Sequence, residues 1–281
     1  MDWRTIPSEE LEHHFNPRVA VADAETYLAG RAEASAEVRR RLEGRYDIAY
    51  GDGPRQLLDV FPAEQKGAPI HLFVHGGYWR ALTKEDFSFI APASVAAGVT
   101  TVVMDYDLCP TVSLDRVVAE IIECVAWVAK NAEALGGDAN RLYLSGHSAG
   151  AHLAAFAIAE DWTRHGLPAD LIKAAILVSG IYDPRPALRI SVKDEIGLTP
   201  AMAERCDANA HPPRSGLPVL IAVGGDEPAG WVALSTDYHR GAGPDAEFVT
   251  CPGTNHFSVG ESLSEPESPV FQWLLAAINN A

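Results

Sequence analysis

The pentapeptide Gly146-His147-Ser148-Ala149-Gly150 leaves a chain few ways to fold around it. It stands between the apolar run "LYLSG" (142–146) and the alanine-rich run "AGAHLAAFAIAEDW" (149–162), where a buried strand gives way to a helix. A serine held between glycines at such a junction sits on a sharp, strained turn, and the glycines keep side chains away from the crossing strand and helix. The turn lifts the hydroxyl clear of the backbone. The helix N-terminus behind it adds N–H donors and a positive dipole end where negative charge develops. The spacing predicts Ser148 as a nucleophile, with the Ala149 N–H as one donor to an oxyanion.

The rest of the chain repeats the strand-then-helix rhythm. Eight runs dense in β-formers stand at 46–50, 57–61, 70–74, 99–106, 142–146, 174–180, 219–225 and 247–251. From the third onward most are separated by helical stretches, among them "LDRVVAEIIECVAWVAKNAEAL" (114–135), with apolar residues at helical spacing. Alternation of this kind requires crossovers and a largely parallel sheet, while the first two runs lie close enough to pair antiparallel. The expected fold class is α/β: a mostly parallel eight-stranded sheet flanked by helices, in one domain spanning 1–281. Residues 1–44, rich in Ala, Glu and Arg with breaks at Pro17 and Gly30, read as a helical extension lying on that core. Residues 181–217 are longer than an ordinary connection and carry several prolines, so they read as a small cap near the strand ends.

A serine at its free pKa is a weak nucleophile; it needs a base, and the base needs a carboxylate to orient it. Asp226 follows the run "VLIAVGG", and His256 follows the last strand in "CPGTNHFS". Both lie on loops after strands, which brings them to the same edge of a parallel sheet as Ser148. Asp226 is the favoured acid, because the first carboxylate after the glycines suits the shorter reach. Glu227 and Asp183 are its rivals. Among ten histidines, His75, His147 and His152 belong to the oxyanion loop, the elbow and its helix, and none is better placed than His256.

Thirty-eight acidic residues against twenty-two basic ones give a formal charge of −16, which disfavours any surface that tracks phosphates. Nucleic acid and anionic membrane are therefore set aside as partners, and a small-molecule substrate, an aromatic amide or ester, is expected. A homodimer is left open. The start "MDWRTIPSEELEHHF" has no basic stretch followed by an apolar core, so a cytoplasmic protein is expected. Cys109, Cys124, Cys206 and Cys251 are widely scattered and read as reduced structural thiols. No cofactor or metal is expected. His13-His14 point different ways on a helix, and Asp105 and Asp107 follow a strand as turn residues commonly do.

"HFNPR", "HGGYW", "YDLCPTVSL", "GHSAGAHLA", "GGDE" and "NHFS", spread over most of the chain, resemble the arylformamidase (kynurenine formamidase) group of the α/β-hydrolase superfamily. The resemblance implies an α/β-hydrolase fold with Ser148 as nucleophile, Asp226 as acid and His256 as base. It also explains why "FVHGGYWR" (73–80) puts two glycines and two bulky aromatics after an apolar run. In such enzymes a second oxyanion donor comes from the loop after the third strand, so Gly76 and Gly77 turn their amides towards the carbonyl oxygen beside Ala149. Tyr78 and Trp79 then lie next to the scissile group, as substrate-binding residues able to stack on an aryl ring. The implied substrate is an aryl formamide such as N-formyl-L-kynurenine, with Arg80, Arg185 and Arg189 as candidates for its amino-acid end. The alternatives are a carboxylesterase for small aryl or alkyl esters and a ligand-binding protein without turnover. Two departures, "EPAGWVALSTDYHR" after the acid and the Pro-Arg-Pro of "SGIYDPRPALRI", flank the site and bear on the substrate more than on the chemistry.

Overall fold

In the computed structural model, which describes residues 2–280, eight strands form one sheet in the order β1-β2-β4-β3-β5-β6-β7-β8. The chain opens on three helices, α1 (Ser8–Phe15), α2 (Pro17–Ala20) and α3 (Ala24–Arg41). β1 (Arg45–Ala49) and β2 (Leu57–Phe61) pair antiparallel, as their proximity in the chain predicts. β3 (Ala68–Val74) follows, then α4 (Ala91–Ala96), β4 (Thr100–Met104), α5 (Leu114–Lys130), β5 (Gly137–His147) and α6 (Ala149–Ala159). β6 (Ile172–Val178) leads into α7 (Val192–Ile196) and α8 (Pro200–Arg205), after which come β7 (Val219–Gly224), α9 (Ala229–Gly241), β8 (Ala246–Cys251) and α10 (Pro269–Asn279). β2 is antiparallel to β4, while β4, β3, β5, β6, β7 and β8 run parallel to one another.

The alternation of side chains across each strand divides the core in two. Leu72, Val74, Leu144 and Ile221 face the layer that includes Val117 and Ile121 of α5, Leu153 of α6 and Trp231 of α9. Phe73, Tyr143, Ile176 and Ala222 face the other way, towards Phe87, Ile90 and, on α10, Phe271 and Leu274. With both faces covered, the central strands are apolar at nearly every position, which is why they read as runs and not as alternating patterns.

Close backbone approach decides where glycine stands. A Cβ on Gly150 would lie 2.0 Å from the Val74 carbonyl, and one on Gly146 would lie 2.3 Å from the Gly150 carbonyl. The two glycines around Ser148 thus let α6 start directly beside β3. Ser148 itself has φ 58° and ψ −119°, a strained backbone for a residue with a side chain, and its N–H donates to the Val178 carbonyl at 2.8 Å.

The two excursions are arranged differently from expectation. Residues 181–217 fold into short helices that support the N-terminal segment: Ser191 binds the Glu12 carboxylate through its N–H (2.9 Å) and hydroxyl (2.5 Å), and Arg189 donates to the Ile6 carbonyl at 3.2 Å and the Ser8 hydroxyl at 3.0 Å. It is the N-terminal segment that reaches over the ends of the strands.

Candidate active site

Ser148, at the turn between β5 and α6, meets His256 in the loop after β8. The Ser148 hydroxyl lies 3.0 Å from His256 Nε2. The other ring nitrogen, Nδ1, lies 2.6 Å from Glu227 Oε1. Glu227, not Asp226, therefore occupies the place of the orienting carboxylate. The Asp226 side chain is exposed, and its backbone N–H is spent on the Thr254 carbonyl at 2.9 Å. Gly224 and Gly225 carry β7 into a turn that sends the first carboxylate out to solvent and the second back under the sheet edge. Asp183, the other rival, is held by Nε and one terminal nitrogen of Arg185 at 2.7 and 2.9 Å and lies away from His256 in the hydrogen-bond network.

Glu227 is nearly fully buried, and a buried carboxylate must have its oxygens satisfied. Its second oxygen accepts from the Ser179 hydroxyl at 2.6 Å and the Gly224 N–H at 2.7 Å. Trp231 closes the arrangement: its indole N–H donates to the Ser179 carbonyl at 2.8 Å, and its ring stands edge-on to His256 with centroids 4.3 Å apart. Below His256, His147 Nε2 donates to the His256 carbonyl at 2.8 Å. Burial above all, then the neighbouring His256 and Arg31, push the His147 pKa well below its usual value, so it acts here as a neutral donor that fixes the backbone of the base.

The loop after β3 comes down against the serine. A Cβ on Gly76 would lie 3.1 Å from Ser148 Cβ, and one on Gly77, whose φ is +120°, would lie 2.0 Å from the Ala81 carbonyl. Gly77 accepts no side chain, and at Gly76 a side chain would crowd the serine turn. Among the described residues the N–H groups of Gly77 and Tyr78 have no backbone or side-chain acceptor, and Ala149 begins α6, where helix N–H groups are free. The Gly76–Gly77 peptide is held from behind: His75 Nδ1 lies 2.6 Å from the Gly76 carbonyl, His75 Nε2 lies 3.0 Å from Asp105, and Arg55 holds Asp105 at 2.9 Å. Burial would raise the Asp105 pKa, but its bond to His75 and the charges of His75 and Arg55 hold it below the usual carboxylate value. Asp107 accepts from the Arg55 N–H at 3.0 Å. Both aspartates are thus committed to this network, and no group of three or more His, Cys, Asp or Glu arranged to hold a metal occurs among the described residues.

Tyr78 and Trp79 part company. Tyr78 lines the cavity above Ser148 and ties its hydroxyl to the Phe15 carbonyl at 2.8 Å. Trp79 is fully buried and turned into the core, where its indole N–H finds His152 Nδ1 at 3.2 Å. It does not line the cavity, which corrects its assignment to substrate binding; a buried indole needs an acceptor, and α6 supplies one.

The cavity is narrow, about 60 Å³, and reaches both Ser148 and His256. Its floor is Gly76, Gly77 and His147; its roof is Asn16, Pro17 and Arg18 of the first helices with Leu28 and Arg31 of α3. No residue of 181–217 lines it. Arg80 does, whereas Arg185 is bound to Asp183 and Asp207, and Arg189 to the N-terminal segment. The roofing residues were not legible in the sequence: α3 is polar nearly all round, and Arg31 looks there like one more surface arginine.

The sequence matches the family profile described as the alpha/beta hydrolase fold over residues 71–218. Over 97% of both chains it is 30% identical to a kynurenine formamidase of Salmo salar, and over its full length it is 28% identical to one from Danio rerio, of which 99% is covered. A solved structure from Silicibacter sp. TM1040, described as a candidate thioesterase, superposes with a TM-score of 0.83 at 28% identity, covering 96% of this chain and 99% of that one. A glycine-bound serine turn, a mostly parallel sheet and full-length likeness all agree, and the chain belongs to the α/β-hydrolase family, in the group of the kynurenine formamidases.

Proposed function

We propose that the protein is a serine hydrolase that cleaves an aryl formamide such as N-formyl-L-kynurenine to formate and the aromatic amine. The observation that carries this reading is the line Glu227–His256–Ser148 at the floor of a cavity of about 60 Å³, in a chain alike over its whole length to kynurenine formamidases. A formyl group is the smallest acyl group, and it needs the least room beside the serine.

In this reading His256 takes the Ser148 proton as the hydroxyl oxygen attacks the formyl carbon, and Glu227 holds the imidazole in the required tautomer and offsets the imidazolium charge. The oxyanion is met by N–H groups of Ala149 and Gly77, with those of Gly76 and Tyr78 next to them. His256 gives its proton to the departing aryl amine. Water, deprotonated by the same histidine, then releases formate from the seryl ester.

A second reading, hydrolysis of small aryl or alkyl esters or thioesters through the same residues, is favoured by the 28%-identical structure described as a candidate thioesterase. Steady-state rates on N-formyl-L-kynurenine and p-nitrophenyl acetate, for wild type and Ser148→Ala, separate the two. The formamidase reading requires kcat/KM of about 10⁴ M⁻¹s⁻¹ or more on the formamide, lost with the serine. Cleavage of the ester alone overturns it in favour of the second.

A further inference from the structure

A positive φ places a residue in a backbone region that glycine occupies freely and a residue with a side chain does not. It recurs around the site, at Tyr78, Trp79 and Leu82 of the oxyanion loop, at Ser148, and at Ser179 just past β6, where φ is 48°. Ser179 is fully buried and does not line the cavity over Ser148. Glycine would relax this backbone, so what a serine adds here is its hydroxyl.

That hydroxyl and the peptide groups beside it reach every member of the reacting line. The Val178 carbonyl, one residue back, accepts from the Ser148 N–H at 2.8 Å. The Ser179 hydroxyl donates to Glu227 Oε2 at 2.6 Å, next to the Gly224 N–H at 2.7 Å. The Ser179 carbonyl accepts from the Trp231 indole at 2.8 Å, and that ring stands edge-on to His256. The Ser179 N–H is tied to the Ala222 carbonyl of β7 at 2.8 Å, which fixes the residue to the sheet. Two donors on Oε2 set the plane of the carboxylate, and Oε1 is left for His256 Nδ1.

We infer that Ser179 is a positioning residue: acting through Glu227, its hydroxyl holds His256 in line with Ser148, and its strained backbone is kept for that contact. The inference rests on the reading of Glu227, His256 and Ser148 as the reacting line, and it holds for any acyl group that line attacks.

Ser179→Ala removes the hydroxyl and keeps the strain, whereas Ser179→Gly removes both. The full chain, as wild type and as each variant, is inactivated with a fluorophosphonate, in which the serine oxygen displaces fluoride from phosphorus as the histidine takes the proton. Saturation kinetics separates reversible binding from bond formation. The bond-forming rate constant is expected to fall about 10- to 100-fold in both variants, the range for a lost hydrogen bond to a charged group. The half-saturating concentration is expected to stay within about twofold, because nothing that touches the inhibitor has changed. In urea Ser179→Gly should be no less stable than Ser179→Ala, and a lower midpoint for the glycine variant would refute the strain. A glycine variant as reactive as wild type means that the position serves the backbone alone, and overturns the inference. Wild-type reactivity in both variants, a loss confined to the half-saturating concentration, or a wild type that does not react also overturns it. If reactivity behaves as stated but N-formyl-L-kynurenine is not hydrolysed, the formamidase reading falls and the positioning role stands.

Discussion

Asp226 and Glu227 are neighbours in the chain, yet one carboxylate faces solvent while the other lies 2.6 Å from His256 Nδ1. The difference is testable by neutralising each. Glu227→Gln should lower kcat by about 10⁴-fold, the loss found when the acid of such a triad becomes its amide and the histidine takes the wrong tautomer. Asp226→Asn should stay within about twofold of wild type, as a surface change away from the chemistry does. Steady-state kinetics on one substrate decides it, and equal losses from both changes would refute the assignment.

His75 never touches the cavity's occupant but holds the Gly76 carbonyl, and so the tilt of the peptide whose N–H belongs to Gly77. His75→Asn should reduce kcat by about 10- to 100-fold through a misplaced donor. KM should change little, since the substrate's ground state does not depend on that donor. A rise in KM at constant kcat would mean that the loop only shapes the pocket.

Trp79→Phe removes the indole N–H and leaves His152 Nδ1 buried without its donor. A loss of about 1–3 kcal/mol of stability is expected, read as a lower urea midpoint, with KM unchanged. A raised KM at unchanged stability would restore Trp79 to the substrate.

Three buried histidines make the fold acid-sensitive. Burial, the largest cause in each case, lowers His71 and His152 to about 4 and His147 well below its usual value. The unfolded chain binds protons at these positions near pH 6.5, whereas the folded chain does not. Their contribution to stability is therefore full above about pH 6.5 and is lost as pH falls towards 4. Each histidine contributes a slope of about 1.4 kcal/mol per pH unit in that window. Urea unfolding between pH 7.5 and 5.0 should show a steep fall; a flat profile would mean that these histidines titrate normally in the fold.

The serine turn was legible because its requirement is steric: only glycine can stand 2.0 Å, at Cβ, from the Val74 carbonyl. The central strands were legible because both of their faces are covered. The acid was not, since one extra residue in the turn after Gly224-Gly225 reverses the direction of a carboxylate, and no local pattern records that turn. Trp79 shared a motif with Tyr78 but not its surroundings: Tyr78 lines the cavity, while Trp79 packs in the core against His152 of α6. The roof was invisible for a different reason. Its fit depends on contacts between residues 12 and 191 and between 31 and 257, which no window of sequence contains.

The placement of that roof divides labour along the chain. Ser148, Glu227 and His256 lie just past the ends of β5, β7 and β8, whereas Arg18, Leu28 and Arg31 belong to helices that are no part of the sheet. Selectivity can then be rewritten by exchanging the helices before the first strand while the reacting groups stay untouched. The same economy carries a liability: a bulky group fused ahead of α1 would leave the nucleophile intact and blunt the enzyme's choice of what to cut.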